Sequence, residues 1–213
     1  MRIDSVNAGR AESLQVGART VTTGIRKLPV GSGRVTVLGL EGDTVADQEN
    51  HGGPDQALYL YSSEDYEWWG RELGAVPEPG TFGETVTLSS FGAEPVRIGD
   101  RFRLGAVHVE VTAPRIPCSV FATRMAEPAW VKRFAAARRP GLYVRVLEPG
   151  EVAAGDPAER IDASPDRPTV LDLMDAWYDP EPAPELLERL LAAPLAQRAR
   201  ANMERKLAHV LAI

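Results

Sequence analysis

From its start to about residue 161 the chain is a succession of short alternating runs cut by glycine, proline and aspartate, and that texture confines the fold to sheets. The clearest runs cover residues 35–40, 57–61, 85–88, 101–104, 107–111 and 142–146. In several of them apolar and polar residues alternate, as strands with one buried face require. Gly-Asp pairs at Gly42-Asp43, Gly99-Asp100 and Gly155-Asp156, and Pro-Gly pairs at Pro79-Gly80, Pro140-Gly141 and Pro149-Gly150, supply the turns. Many short strands with regular turn signals argue for a barrel or a sandwich. Two stretches read differently. Residues 63–73, with Trp68 and Trp69, and residues 128–138, with Trp130, Val131 and Phe134 at helical spacing, predict helices across the barrel ends.

After residue 161 the texture changes. Residues 162–168 (Asp-Ala-Ser-Pro-Asp-Arg-Pro) read as a linker, and 171–177, 184–191 and 194–211 carry apolar residues three or four apart behind helix-initiating prolines. The expected organisation is a β-rich domain over 1–161 and a small three-helix appendage over 168–213. The appendage serves as a packing cap for the barrel or as a dimer surface, the latter allowing a homodimer, since its polar residues form no convergent cluster. At 213 residues, 44% hydrophobic and 25% charged, the chain has enough apolar surface for one substantial core. A net charge of −6 opposes binding to a nucleic-acid polymer or an anionic membrane. With no apolar run near the roughly 20 residues of a membrane span, and no signal-peptide pattern at the start, the expected location is the cytoplasm.

Cys118 is the only cysteine, set in Ala113-Pro114-Arg115-Ile116-Pro117-Cys118-Ser119-Val120-Phe121. Without a second thiol the chain forms no internal disulfide and no multi-thiolate zinc site, which leaves an inert filler, a nucleophile or a single soft ligand. Two prolines stiffen the segment, and Arg115 places a permanent cation beside it, able to stabilise a thiolate or grip an anion. His51-Gly52-Gly53-Pro54 is a glycine-rich turn ahead of a strand. It is either a tight turn capped by His51 or a backbone cradle for an anion with a proton donor alongside. Lys27, next to Arg26, reads by default as a solvated surface cation, and Phe82-Gly83-Glu84-Thr85 as a sharp turn entering a strand. His108 is expected on the polar face of its strand and His209 on the terminal helix. Gly31-Ser32-Gly33 lacks the third glycine of a dinucleotide fingerprint and leads into a strand.

Taken in order, these blocks resemble the MOSC domain, named for the C-terminal domain of molybdenum cofactor sulfurases, in its stand-alone bacterial branch. The resemblance rests on Ile25-x-Lys27, Gly42-Asp43 with Asp47, His51-Gly52-Gly53-Pro54-Asp55-x-Ala57 with Tyr59 and Tyr61, and Pro79-Gly80-x-Phe82-Gly83-Glu84. It continues through Ile98-Gly99-Asp100, Pro114-Arg115-x-Pro117-Cys118, Gly141-x-Tyr143-x-Arg145-Val146 and Pro149-Gly150. It covers residues 1–160 strongly and the tail by helical character. It implies a mostly β (α+β) MOSC-type barrel-like fold with flanking helices. It also implies a molybdenum cofactor, the metal bound to a pterin, with Cys118 as thiolate ligand and catalytic residue. Lys27 and Arg115 would lie near the cofactor phosphate or pterin, and His51, Thr85, Tyr143 and Arg145 would complete the binding site. One departure stands out: the branch usually has Asn after Phe-Gly-Glu, where this chain has Thr85. The implied activity is reduction of N-hydroxylated compounds such as hydroxylaminopurines or amidoximes. The alternatives are a sulfur carrier with a persulfide on Cys118, or a cofactor storage protein. A lone cysteine rules out an iron–sulfur cluster in this chain and no flavin or nicotinamide fingerprint is present, so an external flavoprotein or small iron–sulfur protein is the expected electron donor.

Overall fold

The computed structural model describes residues 1–212. Its strands are β1 (Ile3–Gly9), β2 (Glu12–Val16), β3 (Arg19–Thr23), β4 (Lys27–Pro29), β5 (Ser32–Thr36), β6 (Gly39–Leu40), β7 (Leu58–Ser62), β8 (Val86–Leu88), β9 (Arg101–Leu104), β10 (Val107–Ala113), β11 (Leu142–Glu148), β12 (Gly150–Ala153) and β13 (Ala158–Ile161). Its helices are α1 (Gln48–His51), α2 (Ser63–Leu73), α3 (Ser119–Arg124), α4 (Trp130–Ala137), α5 (Val170–Tyr178), α6 (Pro184–Leu191) and α7 (Gln197–Val210).

Eight strands form one sheet in the order β13-β9-β10-β11-β7-β8-β1-β4, flanked by a β12-β5-β6 sheet and the β2-β3 hairpin. Backbone bonds from Ile3 to Asp156 O (2.9 Å), Gly155 to Ile3 O (2.8 Å) and Ala158 to Met1 O (3.0 Å) bring the start of β1 against the turn before β13. The sheet therefore curls back towards its other side without a continuous closing ladder, so the fold is barrel-like and α+β, with no closed barrel. Only β7 and β8 run parallel in the large sheet, a pairing that demands a long crossover, and α2 supplies it. The crossover returns through residues 79–85 and delivers Gly83 and Thr85 to the sheet end where the site lies.

Residues 35–40 form a hairpin and not a single strand. Val35 pairs with Leu40 and Thr36 with Gly39, and Gly39 adopts φ +123°, which a side chain would resist. β1 escapes a hydrophobic-alternation reading because Ser5 and Asn7 are buried; Ser5 donates to Asn7 Oδ1 (2.7 Å) and Asn7 Nδ2 to Thr87 Oγ1 (3.2 Å).

α2 starts at the Ser62 cap, whose hydroxyl accepts from Asp65 N at 3.1 Å, and stops at Gly74 in the left-handed region. It buries Tyr66 and Trp69 in an aromatic cluster centred on Phe82, with Tyr61 at 4.7 Å and Tyr66 at 4.9 Å between ring centroids, and with Trp130 and Phe134 from α4. After the linker, Val170 N bonds Val96 O and Ile98 N bonds Pro168 O (both 2.9 Å), and a Thr169–Asp172 capping box starts α5. α7 begins at Gln197, three residues later than the proline at 194 suggests, because Ala196 N is engaged by Thr112 O of β10 at 3.1 Å. Leu173, Leu187, Leu190 and Met203 belong to the same apolar core as the sheet. Among the described residues no helix is long and apolar enough to cross a membrane.

Phe82 is fully buried at the centre of the aromatic cluster, so Phe82→Ala is expected to lower unfolding free energy by about 3–5 kcal/mol, read from denaturant midpoints. A loss below about 1 kcal/mol would show that the cluster closes around the gap.

Candidate functional site

At one end of the curled sheet lies a cavity of about 260 Å³, walled by the end of β3, the segment around Thr44–Asp47, α1, β7 and the segments on either side of Cys118. Six of the residues singled out from sequence line it: Lys27, His51, Thr85, Arg115, Cys118 and Tyr143. Residues 113–118 carry the chain from β10 to α3, and Cys118, half-buried, occupies the N-cap position of α3 in extended conformation with no side-chain cap bond. Its thiol is thus free for another partner.

Arg115 is buried at 4% exposure. Its Nη1 donates to Phe82 O (2.7 Å), and its guanidinium lies 5.0 Å from the centroid of the Tyr59 ring and 4.4 Å from that of Phe121. Nε is buried without a partner among the described residues. Burial opposes its charge, yet its polar surroundings raise the pKa overall, so it remains a cation. Gly83, at φ +77°, keeps the approach clear, since a Cβ there would come within 3.1 Å of Arg115 Nη1.

Lys27 is no surface cation. It is 6% exposed, forms an ion pair with Asp43 and donates to Thr85 Oγ1 at 3.3 Å. Burial pulls its pKa down while the Asp43 carboxylate opposes the fall. Asp43 is itself fixed by the N–H of Gly9 (2.8 Å). The hydroxyl of Thr85 therefore orients the lysine. Behind it, Glu84 is completely buried and its Oε1 accepts from Tyr66 OH (2.6 Å), Gly80 N (2.6 Å) and Thr87 Oγ1 (2.9 Å), which locks the turn; burial raises its pKa.

His51 Nδ1 lies 3.0 Å from Tyr143 OH. Burial, then the cations Arg115 and Arg198, lower its pKa to about 4 against the pull of Asp47, so at neutral pH the ring is uncharged, one nitrogen a donor and the other an acceptor. Burial likewise raises the Tyr143 pKa and keeps the phenol protonated. Val21, Ile25, Val45, Ala46 and Val120 form an apolar side of the cavity.

Arg145 is absent from this cavity, contrary to expectation. Two residues beyond Tyr143 on β11, it pairs with Asp55 (3.1 Å) and Glu110 (3.4 Å) and donates to Pro194 O (3.1 Å) and Leu195 O (3.2 Å). Carboxylate and carbonyl acceptors claim its terminal nitrogens, so it brackets the sheet to the helical region. His108 lies at the surface beside Glu148 (3.4 Å), and His209 is exposed on α7. Sequence reasoning gave no separate role to Asp43 or Glu84, whose importance depends on burial, nor to Val21–Thr23, whose hairpin is too polar to stand out. Among the described residues no three His, Cys, Asp or Glu side chains converge as a metal site.

The MOSC domain model matches residues 47–159 and the YiiM-like, 3-alpha helix domain model matches 168–210. The chain is 37% identical over 152 residues to YflK of Bacillus subtilis, covering 71% of this chain and 69% of that one. It is 31% identical over 186 residues to YiiM of Escherichia coli, covering 85% and 83% respectively. A Gibberella moniliformis protein named reductase is 32% identical over 157 residues, 71% of this chain but 28% of the fungal one. The crystal structure of YiiM from Geobacillus stearothermophilus superposes with a TM-score of 0.77 at 26% identity, over 97% of this chain and 98% of that one.

Two predictions follow from the buried charges. The His51 ring should titrate near pH 4 in the folded protein and near 6.5 unfolded, so stability present above about pH 6.5 declines on acidification towards 4, as the unfolded state takes up the proton first. NMR titration of the His51 ring reads this directly, and a midpoint near 6.5 would contradict it. Asp43→Asn should cost about 3–5 kcal/mol in denaturant unfolding because it strands the Lys27 charge; an unchanged midpoint would mean that Lys27 is already neutral or hydrated.

Proposed function

The chain belongs to the MOSC domain family, and from that premise we propose that it is a molybdenum-cofactor-dependent reductase of N-hydroxylated compounds, with Cys118 as the protein ligand of the metal. The observation that carries this reading is the pairing, in one cavity, of a half-buried soft thiol with a buried, permanently charged Arg115 whose Nε lacks a partner. A cavity with one soft donor, where no three His, Cys, Asp or Glu side chains converge among the described residues, suits a metal that arrives with its own organic ligand. A permanent guanidinium charge in the cavity wall suits the anionic phosphate that such a ligand carries. The name of the fungal relative supports oxidoreductase chemistry in the family more broadly.

When bound, the cofactor supplies the two-electron chemistry, so that R–NHOH with two electrons and two protons yields R–NH₂ and water. The protein's own residues do the rest. Cys118 would present its sulfur to the metal from the end of a stiff proline-flanked segment. Arg115, which lines the cavity, would hold anionic oxygen through its guanidinium, while Lys27, held by Asp43 and Thr85, would offer a hydrogen-bond donor beside it. The neutral His51–Tyr143 pair keeps an exchangeable proton at the cavity wall, available to the oxygen that leaves as water. Val21, Val45, Ala46 and Val120 limit water on the other side. The electrons come from a separate flavoprotein or small iron–sulfur protein. Partial exposure of Cys118 favours a second reading, a persulfide carrier, in which the thiol stays open to reagents and no metal is held.

Protein prepared without oxygen from a host that makes the cofactor should contain near-stoichiometric molybdenum and pterin. Cys118→Ser should lose most of the metal and all reduction of an amidoxime while keeping its fold by circular dichroism. Metal-free parent protein with alkylatable Cys118 would support the carrier instead.

A further inference from the structure

The segment that carries His51, residues 48–56, has open space on both faces. On one side Asp47, His51 and Gln56 line the 260 Å³ cavity. On the other a groove of about 610 Å³ separates the segment from α7, bordered by Gln48, Asn50, Trp177, Arg198 and Asn202. The far end of the segment is fixed against the sheet, where Gln56 is buried and the Asp55 carbonyl accepts from Thr112 Oγ1 at 2.6 Å, but residues 48–53 are exposed or half-buried between the two voids, so their place depends on a few polar tethers. The carbonyl of Asn50, one residue before His51, receives two of them: Arg198 Nη1 at 3.2 Å and Gln56 Nε2 at 3.0 Å. Gln56 belongs to the loop itself; Arg198 does not. Its guanidinium lies 5.0 Å from the centroid of the Trp177 ring, and its helix is anchored to the sheet through Ala196 N on Thr112 O and through Arg145 on the carbonyls of Pro194 and Leu195. The neighbouring backbone N–H of Gln197 also donates to Asp55 Oδ2 at 3.1 Å, near the far end of the loop.

We propose that Arg198 is a positioning residue that holds the Asn50 carbonyl from α7 and so sets His51 against Tyr143, making the C-terminal three-helix unit part of the site and not only a cap on the barrel. The value of that geometry for reduction rests on the function proposed above, but the geometry itself needs no metal. The test therefore uses protein free of molybdenum, comparing the parent with Arg198→Met, which keeps the aliphatic stem over Trp177, and Arg198→Lys, which keeps a cation and a donor.

Arg198→Met is expected to speed hydrogen exchange across residues 48–56 at least about tenfold, the effect of losing a charged hydrogen bond, while the amides of β10 are unchanged. The ¹⁵N signal of His51 Nδ1 should leave its hydrogen-bonded position, and Arg198→Lys should restore part of both readouts. Loop exchange and a His51 signal equal to the parent's in Arg198→Met would overturn the proposal. So would acceleration shared equally by β10, which would make Arg198 a contributor to global stability alone. Molybdenum loading is measured separately, so a result against Arg198 and a result against the cofactor reading are distinguishable.

Discussion

Two basic side chains, Lys27 and Arg115, are buried in the wall of one cavity, and the local architecture supplies the partners that such burial demands. An isolated buried cation costs several kcal/mol, so partners are obligatory. Asp43 meets Lys27 directly, and the buried Glu84 carboxyl lies close enough to favour the charged form of both cations. Asp43 comes from the turn after the β5–β6 hairpin, Glu84 from the α2 crossover and Arg115 from the exit of β10. The curled sheet brings those three chain segments to one end. The parallel β7–β8 pair is what routes residues 79–85 past the cavity, and the Tyr66–Glu84 bond ties that route to α2.

Much of this was legible in the sequence where a local rule sufficed. The helix over 63–73 carries its amphipathic spacing within its own eleven residues, with its cap at Ser62 and its glycine stop at Gly74 immediately outside, and the structure places it at Ser63–Leu73. The helix starting at Pro184 is equally local. Features set by distant partners were not legible. β1 looks too polar for a core strand because the acceptor for its Asn7 amide, Thr87, is 80 residues away. Lys27 reads as a surface residue until Asp43 is placed against it.

The site shows the same division. Cys118 and Arg115 share a proline-stiffened segment, so their common placement follows from sequence proximity, and His51 and Tyr143 meet across the sheet end. Arg145, in the same motif as Tyr143, is drawn away by Asp55 and Glu110. That diversion gives the helical region one of its anchors, since the carbonyls before α7 accept from the same guanidinium. Residues that a family pattern groups together can therefore divide their work between holding a ligand and holding the scaffold that frames it.

The central claim is that Cys118 binds molybdenum in this cavity, and X-ray absorption at the molybdenum edge of loaded protein tests it most directly. The account predicts one more sulfur neighbour around the metal in the parent than in a reloaded Cys118→Ser sample. Identical sulfur shells in the two would contradict it and return Cys118 to the role of a bystander on the cavity wall.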